Sequence, residues 1–146
     1  MEEKSIIAFQ NCTKSFGDKT VLRDISFSLK DGGNFISILG KSGSGKTTLI
    51  RLLAGLEKLN NGTIFILGKK ANENGQIIIP PYQRDIGFVF QDLALFPHFT
   101  VFENIAFGLK VKKVNSFEEI VGAILKQFNI EEYASSYPNQ LSGGQQ

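Results

Sequence analysis

At 146 residues, 42% apolar and 21% charged, the chain can build one domain with a real hydrophobic core but not two. A net charge of +2, from 16 basic and 14 acidic residues, lacks the clustered basic excess that holds nucleic acid. The lone Cys12 excludes an intrachain disulfide or a cysteine metal site and fits a reducing cytoplasm. Met1-Glu2-Glu3-Lys4 is too charged for a secretory leader, and no apolar run reaches the roughly 20 residues that cross a bilayer.

Residues 6–15 and 21–30 read as strands. In the second, Ile25, Phe27 and Leu29 alternate with Ser26, Ser28 and Lys30, the period of a half-buried antiparallel strand. Phe16-Gly17-Asp18-Lys19 reads as a hairpin turn and Asp31-Gly32-Gly33 as another. Phe35 to Leu39 is almost wholly apolar, as in a strand covered on both faces. A helix is predicted from Lys46 to about Ala54, closing near Gly55. Thr63 to Leu67 reads as a strand, 69–84 as a loop around Pro80-Pro81, and Ile86 to Phe90 as a strand ending at Gln91. Val101 to Leu109 reads as a helix with a Thr100/Glu103 cap. Residues 117–128 carry an apolar stripe of Phe117, Ile120, Val121, Ile124, Leu125 and Phe128, with Ser116 and Glu119 spaced as a capping box.

Between the apolar run and the first helix, residues 40–48 read Gly-Lys-Ser-Gly-Ser-Gly-Lys-Thr-Thr. This is the phosphate-binding spacing G-x-x-x-x-G-K-[ST] in strand-to-helix context. Glycines let backbone N–H groups converge on phosphate oxygens, and the helix adds its positive N-terminal end. Gly40, Lys41, Ser42, Gly43, Ser44, Gly45 and Thr48 form the cradle, Lys46 supplies a point charge to the β- and γ-phosphates, and Thr47 offers a hydroxyl to Mg2+. The ligand class is a nucleoside triphosphate with magnesium.

Further along stands Leu141-Ser142-Gly143-Gly144-Gln145; on general grounds Ser-Gly-Gly is only a turn. It lies about 95 residues beyond Lys46, and Phe88-Val89-Phe90-Gln91-Asp92 lies between. Together the three motifs resemble the phosphate loop, Q-loop and signature of the ATP-binding cassette family, and the likeness covers the whole chain. The stretch Leu95 to Leu109 looks like its bacterial solute importers. The resemblance implies an α/β P-loop NTPase fold of the cassette type. It would have an antiparallel β part over about 1–34, a phosphate-loop core with a partial core sheet over 35–91, and a helical part over 92–146 ending just past the signature. Phe16 would stack on adenine. Gln91 would help ligate Mg2+, orient the attacking water and relay nucleotide state to transmembrane permease subunits. Ser142, Gly143, Gly144 and Gln145 would contact ATP held by the other subunit of a head-to-tail homodimer, peripheral on the inner face of the cell membrane. His98, the one histidine, is not the family's switch histidine, which lies beyond the signature; it reads as surface or partner-facing, and Lys41 as solvated.

The implied function is an ATPase that drives solute import, with iron(III), polyamine, sulfate and sugar all open as cargo. A cassette ATPase of DNA repair or chromosome organisation is the alternative. Those insert coiled coils or cysteine-rich zinc modules, and this chain has neither heptads nor the cysteines. The family's Walker B aspartate, catalytic glutamate and switch histidine follow the signature, outside these 146 residues. The expectation is therefore that this stretch alone is marginally stable, binds nucleotide weakly and hydrolyses it poorly. A non-catalytic nucleotide-binding fragment is accordingly a third reading, for the stretch rather than for its parent.

Overall fold

The structure, a computed structural model, describes residues 5–30 and 35–145. It divides into two units, 1–88 and 89–146. The first is built on one antiparallel sheet. Its strands are β1 (Ser5–Phe16), β2 (Lys19–Lys30), β3 (Asn61–Ile66), β4 (Lys69–Glu73) and β5 (Gln76–Ile77), in the order β2-β1-β3-β4-β5. The β1–β2 hairpin forms as its alternation predicts, with Phe16 opposite Lys19. The turn expected at 31–33 lies outside the described residues.

Helix α1 (Lys46–Ala54) packs on this sheet. Leu52 is fully buried beside Phe9, Cys12, Leu22, Leu59 and Ile64. Phe9 and Phe27 stack across β1 and β2 at 4.8 Å. Burial pushes the Cys12 thiol pKa up, and its Sγ donates to the Thr63 carbonyl at 3.2 Å.

Two corrections concern strands. Residues 69–84, expected to be a loop, contain β4 and β5. Leu67-Gly68 and Asn74-Gly75 all have positive φ (50°, 76°, 40° and 84°), the geometry of tight hairpin turns. The Asn-Gly pair was the available signal. Conversely, 35–39 and 86–90 do not form the expected strands. Phe35 and Leu39 are fully or nearly fully exposed. A parallel strand needs ladder partners at its edges and cover on its faces. The five described strands form one sheet in the order β2-β1-β3-β4-β5, and neither segment pairs with any of them.

At the C-terminal end of α1, buried Arg84 makes a clamp. Its Nη1 donates to the Leu52 and Leu53 carbonyls at 3.1 and 2.6 Å, and its Nε to Ile79 O at 2.8 Å. Its Nη2 donates to Asn72 Oδ1 at 2.6 Å and to Ala71 O at 3.3 Å. A cation at a helix C-terminus also opposes the negative end of the dipole. Burial pulls the Arg84 pKa below its ordinary value. A Cβ on Gly55, the helix cap, would sit 2.6 Å from the guanidinium carbon.

In the second unit, α2 (Val101–Val111) opens with the predicted capping box: Thr100 accepts from Glu103 N, and Glu103 accepts from Thr100 N at 2.8 Å. The Thr100 N–H, and with it the Thr100 hydroxyl at 3.1 Å, donates to the Glu103 carboxylate and holds it below its ordinary pKa. Helix α3 (Phe117–Phe128) forms, but its predicted cap does not: Ser116 has φ 55°, and no side-chain cap bond is made. An N-cap side chain reaches the first turn from extended backbone, not from the left-handed region. Val121 and Leu125 pack with Ala106 of α2, while Ile120 and Phe128 at the stripe's edges stay exposed.

Replacing Arg84 by Met would orphan at least four acceptors at once. Chemical denaturation should show a loss of about 3 kcal/mol or more. A loss under ~1 kcal/mol would mean that water reaches the site and the clamp is not buried in solution.

Candidate nucleotide-binding site

Residues 40–48 wrap the N-terminus of α1. Gly45 is the N-cap, with φ 92°. It lies against β2 so closely that a Cβ would fall 2.8 Å from Leu22 Cδ2, 3.1 Å from Val21 Cγ1 and 3.2 Å from the Val21 carbonyl. Only glycine suits both that φ and that gap. The contact fixes where the helix begins. No side chain caps the first turn and no acidic residue lies in it, so the turn keeps its partial positive charge.

The loop closes over Lys46. Its Nζ donates to the carbonyls of Gly40 and Lys41, both at 2.8 Å, while Ser44 N donates to Lys41 O at 3.2 Å. An ammonium has three donors, so one remains after these two bonds. Lys41, Ser42, Gly43, Ser44 and Thr47 are exposed; Lys46 and Thr48 are half-buried. The result is a loop closed over one cation, with Thr47 exposed beside it. The donor set fits a triphosphate, and the hydroxyl fits a magnesium ion that keeps most of its ligands as water and phosphate oxygen.

Phe16 belongs to the same unit. It ends β1, is 48% exposed, and pairs with Lys19, two residues before Val21. The strand that supports Gly45 is thus paired with the strand that carries the aromatic ring. Lys14 Nζ lies 4.4 Å from the Phe16 ring centroid and 2.8 Å from Glu57 Oε1. That bond holds the Glu57 carboxyl below its ordinary pKa of 4.5. Sequence reasoning missed Lys14, Glu57 and Arg84, since no local pattern links residues so far apart in the chain.

The other candidates lie in the second unit. Gln91 is exposed at the start of a turn over 91–94, where Leu93 and Ala94 have positive φ. His98 is exposed, edge-on to Phe99 at 4.5 Å. Ser142 N and Oγ both donate to Gln145 Oε1 at 2.9 Å, and Gln145 N donates to Ser142 O at 2.9 Å. The spacing and the back-bond are those of a helix N-terminus. Gly143 and Gly144 are exposed, and a Cβ on either would meet nothing within 4 Å.

A glycine-capped helix start over a lysine-closed loop is the arrangement expected of a phosphate-binding loop. The chain matches the ABC transporter family over residues 22–146 and belongs to it. It is 47% identical over 149 residues to the spermidine/putrescine import ATP-binding protein PotA of Pasteurella multocida (strain Pm70), covering all of this chain and 38% of that protein. It is 45% identical over 141 residues to the probable sulfate/thiosulfate import ATP-binding protein CysA of Chlorella vulgaris, covering 95% of this chain and 57% of that one. The chain therefore spans well under two thirds of these relatives. Among solved structures, a dimeric ATP-binding cassette in a post-hydrolysis state bound to ADP and Pi superposes with a TM-score of 0.79 at 33% identity, covering 95% of this chain and 64% of that one. Among the described residues, no helix is long and apolar enough to cross a membrane.

Gly45→Ala should destabilise the protein by about 2–4 kcal/mol in thermal or denaturant melts, through steric clash and left-handed strain. A near-neutral result would place the helix start elsewhere. The Glu57–Lys14 pair should stabilise fully above the ordinary carboxylate pKa of 4.5 and lose its effect as pH falls through the lower folded value. Denaturation of the protein and of Glu57→Gln at stepped pH should therefore diverge above 4.5 and converge in acid.

Proposed function

We propose that this chain carries the ATP-binding part of an importer ATPase. Residues Gly40 to Thr48 would hold the triphosphate, Lys46 would neutralise charge on its terminal phosphates, Thr47 and Gln91 would hold Mg2+, and Phe16 would stack on adenine. The observation that carries this reading is the Lys46 ammonium drawn onto the Gly40 and Lys41 carbonyls at the mouth of an uncapped, acid-free helix start. ATP supplies the phosphoryl group and the free energy of its transfer. The chain binds and orients it, since positioning and charge neutralisation do most of the work in this chemistry.

Gly143 and Gly144 support a second element. Neither has positive φ, and neither is hemmed in by its own fold. Their lack of side chains is thus not a demand of local packing and suits close approach by an outside group. The reading is that they face ATP on a second copy, head to tail. The parent would couple ATP binding and hydrolysis to solute import through permease subunits that engage the Gln91 region, from the cytoplasmic face of the membrane. The relatives' names favour polyamine or sulfate/thiosulfate as cargo. Residues 1–146 alone would bind nucleotide and turn it over poorly.

In the intact protein, Lys46→Ala should lower ATP turnover by about 100-fold or more, by phosphate-release assay. Turnover within ~3-fold of the unaltered protein would remove Lys46 from the machinery.

A further inference from the structure

We propose that Lys14 is a positioning residue for the nucleobase: its ammonium, held by Glu57, pins the Phe16 ring from one face and leaves the opposite face as the stacking surface. The inference rests on the reading that Phe16 stacks on adenine and goes beyond it by assigning the residues that set the ring's plane.

Lys14 is a buried cation, 8% exposed, next to a ring that is half exposed. Its ammonium does not snorkel to water, as a strand-end lysine ordinarily would. Instead it bonds Glu57 at 2.8 Å and lies 4.4 Å from the ring centroid, within the range of a cation–π contact. The neighbouring backbone is tied to the same segment after α1: Ser15 N donates to Asn60 Oδ1 at 2.7 Å, and Asn60 N donates to Thr13 O at 2.9 Å. Glu57 in turn accepts from Lys58 N at 3.1 Å, which fixes the carboxylate. The ring is therefore referenced, through Lys14 and Glu57, to the helix whose other end forms the phosphate cradle. A ligand with a polyanion at one end and a flat base at the other meets two surfaces held by one helix. Fixing the ring beforehand removes an ordering cost that the base would otherwise bear on binding. A base cannot share the face that the ammonium occupies.

The test compares two probes on the intact protein by calorimetry at equal Mg2+: ATP, which has a base, and inorganic tripolyphosphate, which does not. Lys14→Met keeps the apolar stem and should weaken ATP by roughly threefold to tenfold while leaving tripolyphosphate unchanged. Unchanged tripolyphosphate binding also shows that the variant folds. Lys14→Arg keeps a cation on the ring and should restore ATP affinity. Equal weakening of both probes by Lys14→Met would make the ion pair merely structural and overturn the proposal. So would an unchanged ATP affinity in Lys14→Met while Phe16→Ala weakens ATP alone. If Phe16→Ala leaves ATP untouched, the adenine platform itself fails, and the proposal with it.

Discussion

The close approach of Gly45 to Val21 is the constraint from which the site's geometry follows. A left-handed cap so near β2 that a Cβ would meet the Val21 carbonyl at 3.2 Å allows one start for α1 and one path for the loop before it. At the far end, the Arg84 guanidinium collects the last carbonyls of the same helix. Leu52 anchors the middle in the core. A helix fixed at both ends and at its centre points its positive terminus in a set direction. That direction is worth having only if nothing anionic of the protein's own is there first, and α1 has no acidic residue in its opening turn.

Charge placement around this frame is economical. Lys46 bonds two carbonyls of its own loop, which orders an otherwise open run of glycine and serine. Lys14 spends its charge on Glu57 and on the Phe16 ring. Arg84 is buried among neutral acceptors only: carbonyls and the Asn72 amide oxygen. A buried cation is costly unless its donors are satisfied, and five bonds to neutral oxygens meet that requirement without a counter-ion. The three cations thus perform three different tasks, and net charge reports none of them.

Much of this was legible in the chain, and the divide is physical. The phosphate loop, the β1–β2 hairpin, α1 and the Thr100 cap depend on residues within a few positions of each other, so spacing reveals them. The apolar runs 35–39 and 86–90 carry the composition of strands, but a strand exists only when another offers an edge, and composition cannot supply the partner. The β4–β5 hairpin was announced by Asn74-Gly75 and obscured by the prolines after it. Ser116 has the right spacing for a cap and the wrong backbone, which spacing does not encode. Arg84 reaches Leu52 across 32 residues of chain and Lys14 reaches Glu57 across 43, and nothing local marks those pairings.

The account stands on the loop amides gripping a polyanion. The direct measurement is the amide proton chemical shift of each residue in the intact protein, titrated with magnesium tripolyphosphate. The account predicts downfield movement of the amides from Gly43 to Thr48, saturating together, with smaller changes elsewhere. Saturable binding that leaves those amides unmoved, or that moves a different cluster, would contradict it.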